Sequence, residues 1–169
     1  VSIEYGKSMK PFDRILINKF LGFSDAGIYS FAYNVGTIVA VIFFALNKAW
    51  EPWFFETYKK KSYSRLLERS KDFVSVFSLL YSLALLFVPE ITRILAEGSY
   101  LEGLRIVPII FAAYYIQFLY TFELFIEFSN KKSSFTSIGT MLSAVVNIVL
   151  NLIFIPIFGY VGAAITTVI

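Results

Sequence analysis

The sequence predicts an all-α fold, a polytopic transmembrane helix bundle, and three observations predict it. First, 57% of the 169 residues are hydrophobic and 16% charged, with mean hydropathy +0.70. A water-soluble domain carries about 25% charged and about 45–50% apolar residues, so the bilayer is the expected solvent. Second, four runs carry no charge at all: 26–47 (22 residues), 73–89 (17), 106–122 (17) and 133–169 (37). A spanning helix needs about 20 mostly apolar residues, in a range near 17–25. Third, Lys and Arg collect in the short segments between these runs, as they do in the loops of membrane proteins.

Taken along the chain, the first element is a helix at about 8–22. It holds Lys10, Asp13, Arg14 and Lys19 among apolar residues, and Gly22 stops it. The chain has no initiator Met and no signal-peptide layout. We expect a piece that opens near the end of one membrane helix and closes inside another. The first full span is expected at about 26–47. A basic loop follows over about 48–72, with Lys48, Lys59, Lys60, Lys61, Arg65, Arg69 and Lys71. Trp50 and Trp53 flank Pro52 at the headgroup level that indoles favour. Residues 58–72 read as a short amphipathic helix on an anionic leaflet; the alternative is a solvated loop that carries only the orientation signal.

The second span is expected at about 73–95, and the segment 90–105 beyond it sets Glu90, Glu97 and Glu102 against Arg93 and Arg105. The third runs over about 105–129 and ends at the Asn130-Lys131-Lys132 turn. The run 133–169 is too long for one helix, and Pro156 followed by Gly159 punctuates it. It splits into a helix at about 134–156 and a second that starts near 160. Lys and Arg counts place the loops 48–72 and 129–133 on the cytoplasmic side. The basic N-terminal segment falls on the other side and weakens that bias.

Composition excludes much chemistry. Cysteine and histidine are absent, which removes disulfides, thiol nucleophiles, Cys/His zinc sites, Ser-His-Asp triads and imidazole proton shuttles. No cofactor, metal or catalytic centre is expected, and any chemistry falls to carboxylates, Lys/Arg or hydroxyls. A net charge of +3, scattered along the chain, gives no nucleic-acid footprint.

Polar residues inside the runs locate the protein interior. Ser30, Asn34 and Thr37 form one stripe, and Ala32, Gly36 and Ala40 form a small-residue row beside it. Ser75, Ser78 and Ser82 form a second stripe, and Ser137, Thr140, Ala144, Asn147 and Asn151 a third. Close helix packing explains any single Ser or Thr. Two asparagines one turn apart point further, to a hydrated cavity, because unpartnered amides are costly to desolvate. Asn34, Asn147 and Asn151 are therefore substrate-contact candidates.

Glu123 and Glu127 sit one turn apart near the end of the third span, with Tyr120 and Gln117 close by. A carboxylate inside a span costs about 2.5–3.5 kcal/mol even on the lenient insertion scale. Both are candidates for cation coupling or for a gate; the alternative is that they cap the span at the interface. Asp13 is a third coupling or gate candidate. Arg14 offers a planar five-donor fork suited to a pyrophosphate and Lys19 a point charge, against the alternative of an interfacial ion pair with snorkelling side chains.

The residues Phe12-Asp13-Arg14-Ile15-Leu16-Ile17-Asn18-Lys19-Phe20-Leu21-Gly22, then Ala26-Gly27-Ile28-Tyr29-Ser30-Phe31-Ala32-Tyr33, resemble a stretch of the polysaccharide-biosynthesis flippases. These belong to the multidrug/oligosaccharidyl-lipid/polysaccharide (MOP) exporter superfamily. Ala49-Trp50-Glu51-Pro52-Trp53 and Val107-Pro108-Ile109-Ile110 resemble further segments. So do Asn130-Lys131-Lys132, Asn147 to Pro156 and Gly159 to Thr167, which together follow the pattern N-K … N-I-x-L-N-x-x-x-I-P-x-x-G-x-x-G-A-A-x-x-T. The last block is the most specific, and the likeness covers nearly the whole chain.

The resemblance implies a transporter of about 12–14 helices in two related lobes, a common internal-repeat design. This chain would be most of the C-terminal lobe and would partner an N-terminal lobe of the same protein. The implied activity is alternating-access flipping of an undecaprenyl-pyrophosphate-linked oligosaccharide across the cytoplasmic membrane, for O-antigen, capsule or exopolysaccharide synthesis. Implied partners are that lipid-linked substrate, membrane lipids and glycan polymerase or assembly proteins. Arg14 matches the motif arginine. Alternatives are a cation-coupled multidrug exporter of the same superfamily, with Glu123 and Tyr120 in its pocket, and a non-transporting scaffold of glycan assembly. A membrane enzyme of glycan assembly ranks last, because the 90–105 segment is short and lacks His.

Overall fold

The computed structural model describes residues 10–130 and 133–168, with the side chains of 10, 11 and 133–137 left out. The start of the expected 8–22 helix, the Lys131-Lys132 pair, the Ser137 side chain and Ile169 lie outside the described residues. Within them every element is helical: α1 (Lys10–Leu21), α2 (Phe23–Lys59), α3 (Tyr63–Leu86), α4 (Val88–Leu95), a 3-10 segment (Gly98–Arg105), α5 (Val107–Ser129), α6 (Ser133–Phe158) and α7 (Tyr160–Val168). Phe23–Lys59, Val107–Ser129 and Ile138–Phe158 are long and apolar enough to cross a membrane. The bent pair α3–α4 makes a fourth crossing if it is one broken span.

Glycine sets the two tight turns. Gly22, at φ +101°, separates α1 from α2, and Gly159, at φ +64°, separates α6 from α7; this left-handed backbone is cheap only without a Cβ. The Gly159 N–H bonds the Ile155 carbonyl at 2.9 Å and closes α6. Helix α6 therefore runs two residues beyond Pro156, which costs it one hydrogen bond but does not end it. Gly162 lets α7 fold back closely, since a Cβ there would overlap the Phe154 backbone.

The 48–72 segment differs most from the sequence expectation of a basic loop, although its 63–72 part is helical, as one of the two readings of 58–72 has it. Helix α2 continues to Lys59, α3 begins at Tyr63, and only a short turn separates them. At 37 residues α2 is about 55 Å long, well beyond the roughly 30 Å hydrocarbon core. Tertiary packing carries it through Pro52: Phe54 is buried against Leu66 of α3 and Phe125 of α5, with ring centroids 5.2 Å apart for the Phe54–Phe125 pair. Trp50 turns inward, stacked on Phe73 at 4.4 Å, with its indole N–H buried and unpartnered among the described residues. Its role is to join α2 to α3 as much as to mark an interface. The expected 73–95 span is instead bent by 49° between α3 and α4, where Pro89 in the first turn of α4 has no N–H to continue the ladder.

The core lies between α2, α3 and α5. Phe43, Phe77 and Phe118 are fully buried, and Phe77 stacks on Phe118 at 4.0 Å. Helices α2 and α5 run parallel, with Tyr33 beside Tyr114, Phe43 beside Phe118 and Phe54 beside Phe125. Ala32, Gly36 and Ala40 are all buried, and a Cβ on Gly36 would overlap the Ile110 side chain. The small-residue row is thus the seam on which α5 approaches α2. The rest of α6 is peripheral: only 11% of its apolar window is buried, against 50% for α2.

Candidate functional site

The two glycine turns define two helical hairpins, α1–α2 and α6–α7, that pack on one another. Asp13 lies nine positions before Gly22 and Tyr29 seven after it; Asn151 lies eight before Gly159 and Thr166 seven after it. At a rise of 1.5 Å per residue, all four sit about 10–14 Å from the turns, deep enough to be cut off from water. They meet there. Asp13, Tyr29, Asn151 and Thr166 are each at most 3% exposed.

Their hydrogen bonds form one network. The Asn151 amide nitrogen donates to Asp13 Oδ1 at 2.8 Å and to Asn147 Oδ1 at 2.9 Å. The Thr166 hydroxyl donates to Asn151 Oδ1 at 2.5 Å, so both protons and the oxygen of that one amide are engaged. The Tyr29 hydroxyl donates to Asp13 Oδ2 at 3.3 Å. Asn147 in turn donates to the Thr166 carbonyl at 2.7 Å. One carboxylate therefore joins helices from the two ends of the chain, and a carboxylate removed from water needs these donors to stay ionised.

The chemistry of the set is hard and oxygen-rich. Asp13 supplies the single formal charge, Asn147, Asn151 and Thr166 supply neutral oxygens, and the Ala163 carbonyl lies 2.9 Å from the Thr166 hydroxyl. Among the described residues no three carboxylate, imidazole or thiol groups converge. A lone carboxylate among amide and hydroxyl oxygens suits a proton or a monovalent cation; a divalent or transition-metal ion calls for more charge or softer ligands.

The other sequence candidates lie elsewhere. Arg14 adjoins Asp13 but faces another direction, as neighbours on a helix do; it is half-buried, its Nε has no partner, and among the described residues the two are not ion-paired. Lys19 and Asn34 are exposed. The Ser30–Asn34–Thr37 stripe points away from the core and bonds its own helix, Ser30 to the Ala26 carbonyl at 2.7 Å and Thr37 to that of Asn34 at 2.5 Å. In the α3 stripe only Ser78 crosses to a neighbour, meeting the Tyr115 hydroxyl at 2.7 Å. Glu123 is exposed and Glu127 half-buried. Both stand at the far end of α5, with Glu123 about 14 Å along the helix from Tyr114, remote from Asp13.

Of the eight residues singled out from sequence, the structure brings Asp13, Asn147 and Asn151 together. It adds Tyr29 and Thr166, which lie in uncharged runs and had no charge to mark them. Their equal offset from the two glycine turns is the signal that would have found them. No family model, curated protein or solved structure matches the chain.

Proposed function

We propose that the chain is the C-terminal lobe of a flippase that carries an undecaprenyl-pyrophosphate-linked oligosaccharide across the cytoplasmic membrane by alternating access. The observation that carries this reading is the buried network. Four sequence blocks singled out by the family resemblance contribute Asp13, Tyr29, Asn147 with Asn151, and Thr166 to one cluster. A polar knot between two hairpins is the kind of element that has two packed arrangements, one with Asp13 ionised and bonded and one with it neutralised. In this reading Asp13 couples a proton or monovalent cation to rocking of the lobes. The guanidinium of Arg14, with donor capacity to spare, meets the pyrophosphate. The proposed activity is movement of substrate with no bond made or broken. The basic α2–α3 turn faces the cytoplasm.

Deletion of the full-length gene tests the reading, with an assay of which leaflet holds the undecaprenyl-linked glycan. The expected result is glycan held on the cytoplasmic side, released by the intact gene but not by Arg14→Ala. The buried carboxylate equally suits a cation-coupled exporter of the same superfamily. Normal glycan export with new sensitivity to cationic drugs would replace the first reading with that one.

A further inference from the structure

Far from the polar knot, a hollow of about 450 Å3 opens where the end of α2, the start of α3 and the end of α5 meet. Tyr58, Lys59, Lys61, Tyr63, Ser129 and Asn130 line it, and among the described residues no carboxylate does. The three consecutive lysines are not equivalent. Lys60 is already paired with Glu56 at 2.5 Å, and both line a neighbouring hollow with Trp53 and Arg65. Lys59 and Lys61 are exposed, and their ammonium groups make no hydrogen bond or ion pair among the described residues.

The backbone separates them. Lys61 adopts φ +55°, a left-handed conformation uncommon outside glycine, fixed by its N–H on the Tyr58 carbonyl at 2.9 Å. It therefore leaves the helical path of Lys60 and lines the same hollow as Lys59. Donor accounting across the hollow gives the same sign. The Tyr58 hydroxyl donates to Asn130 Oδ1 at 3.1 Å, which leaves the Asn130 amide protons free to donate. Ser129 donates to the Phe125 carbonyl at 2.7 Å and can only accept. Two lysines and an amide thus line one hollow beside the tyrosine rings, where Tyr58 and Tyr63 stand edge to face at 5.6 Å.

We propose that this hollow binds a phosphate group, carried on an anionic lipid headgroup or on a soluble phosphate. The site uses neither Arg14 nor any residue of the polar knot, and it does not depend on the transport reading.

The test uses the full-length protein in nanodiscs. Line broadening in phosphorus NMR reports inorganic phosphate in phosphatidylcholine discs, and native mass spectrometry reports phosphatidylglycerol retained from mixed discs. One of the two probes is expected to bind, and the Lys59→Gln/Lys61→Gln variant to bind it about tenfold more weakly, an effect that shrinks at high salt. Lys48→Gln/Lys71→Gln, with the same net charge, is expected to bind as the parent does. Phosphatidylglycerol retention assigns a lipid source and inorganic phosphate broadening a soluble one. Binding of neither probe, or equal loss in both double variants, would overturn the site. Melting of each variant in phosphatidylcholine discs checks that it is folded.

Discussion

Asn151→Leu removes the centre of the buried network at nearly constant volume. Three bonds go: the donation to the Asp13 carboxylate, the donation to Asn147 and the acceptance from Thr166. A bond to a charged group is worth about 1.5–3 kcal/mol and a neutral one about 0.5–1.5 kcal/mol, and measured couplings inside membranes run lower, near 0.6 kcal/mol on average. Because the groups left behind are buried, the expected loss is about 2–4 kcal/mol. The assay is reversible unfolding of the full-length protein in mixed micelles, run as a double-mutant cycle with Asp13→Leu. The double variant is expected to be more stable than the sum of the singles by about 1–2 kcal/mol, since removing both partners leaves no orphaned carboxylate. A loss below about 0.5 kcal/mol for Asn151→Leu, with additive singles, would refute the network.

Three further outcomes test the fold. Gly36→Ala places a methyl against Ile110 and is expected to cost about 1–3 kcal/mol as overpacking; in a melting cycle with Ile110→Ala the double variant should be more stable than the sum of the singles. At the α6–α7 turn, Gly159→Ala is expected to cost about 1–2 kcal/mol for its positive φ alone. Gly162→Ala should cost more, because its methyl meets the Phe154 backbone, which cannot rotate aside. The chain lacks cysteine, so Ser64→Cys and Ser99→Cys, both exposed, can be labelled selectively. An impermeant thiol reagent on whole cells is expected to reach Ser99→Cys and spare Ser64→Cys, and the reverse pattern would invert the proposed orientation.

Local physics made much of the architecture legible. A run without charge as long as a bilayer is thick has little choice but to be a helix, because hydrocarbon offers no partner for free backbone groups. Gly22 and the Pro156–Gly159 punctuation mark real turns for an equally local reason, the backbone angles that only glycine takes cheaply. Where the expectation of a basic loop met 48–59, charge density suggested solvent. The chain is helical there because Phe54, Trp50 and Phe125 pack across three helices, and that packing has no trace in a one-dimensional charge count.

The candidate site divides along the same line. The sequence by itself determined that Asp13, Asn147 and Asn151 are polar groups on apolar helices and therefore need partners. It equally marked Asn34 and Glu123, which the fold leaves exposed. Only the tertiary structure decided that Asp13 bonds Asn151, 138 positions away, and that Tyr29 and Thr166 complete the set. Spacing along a helix fixes which face a residue occupies, whereas what that face meets depends on how two hairpins cross, and the burial of Leu16, Ile17, Tyr29, Ile155, Ala163 and Ala164 in one cluster holds that crossing.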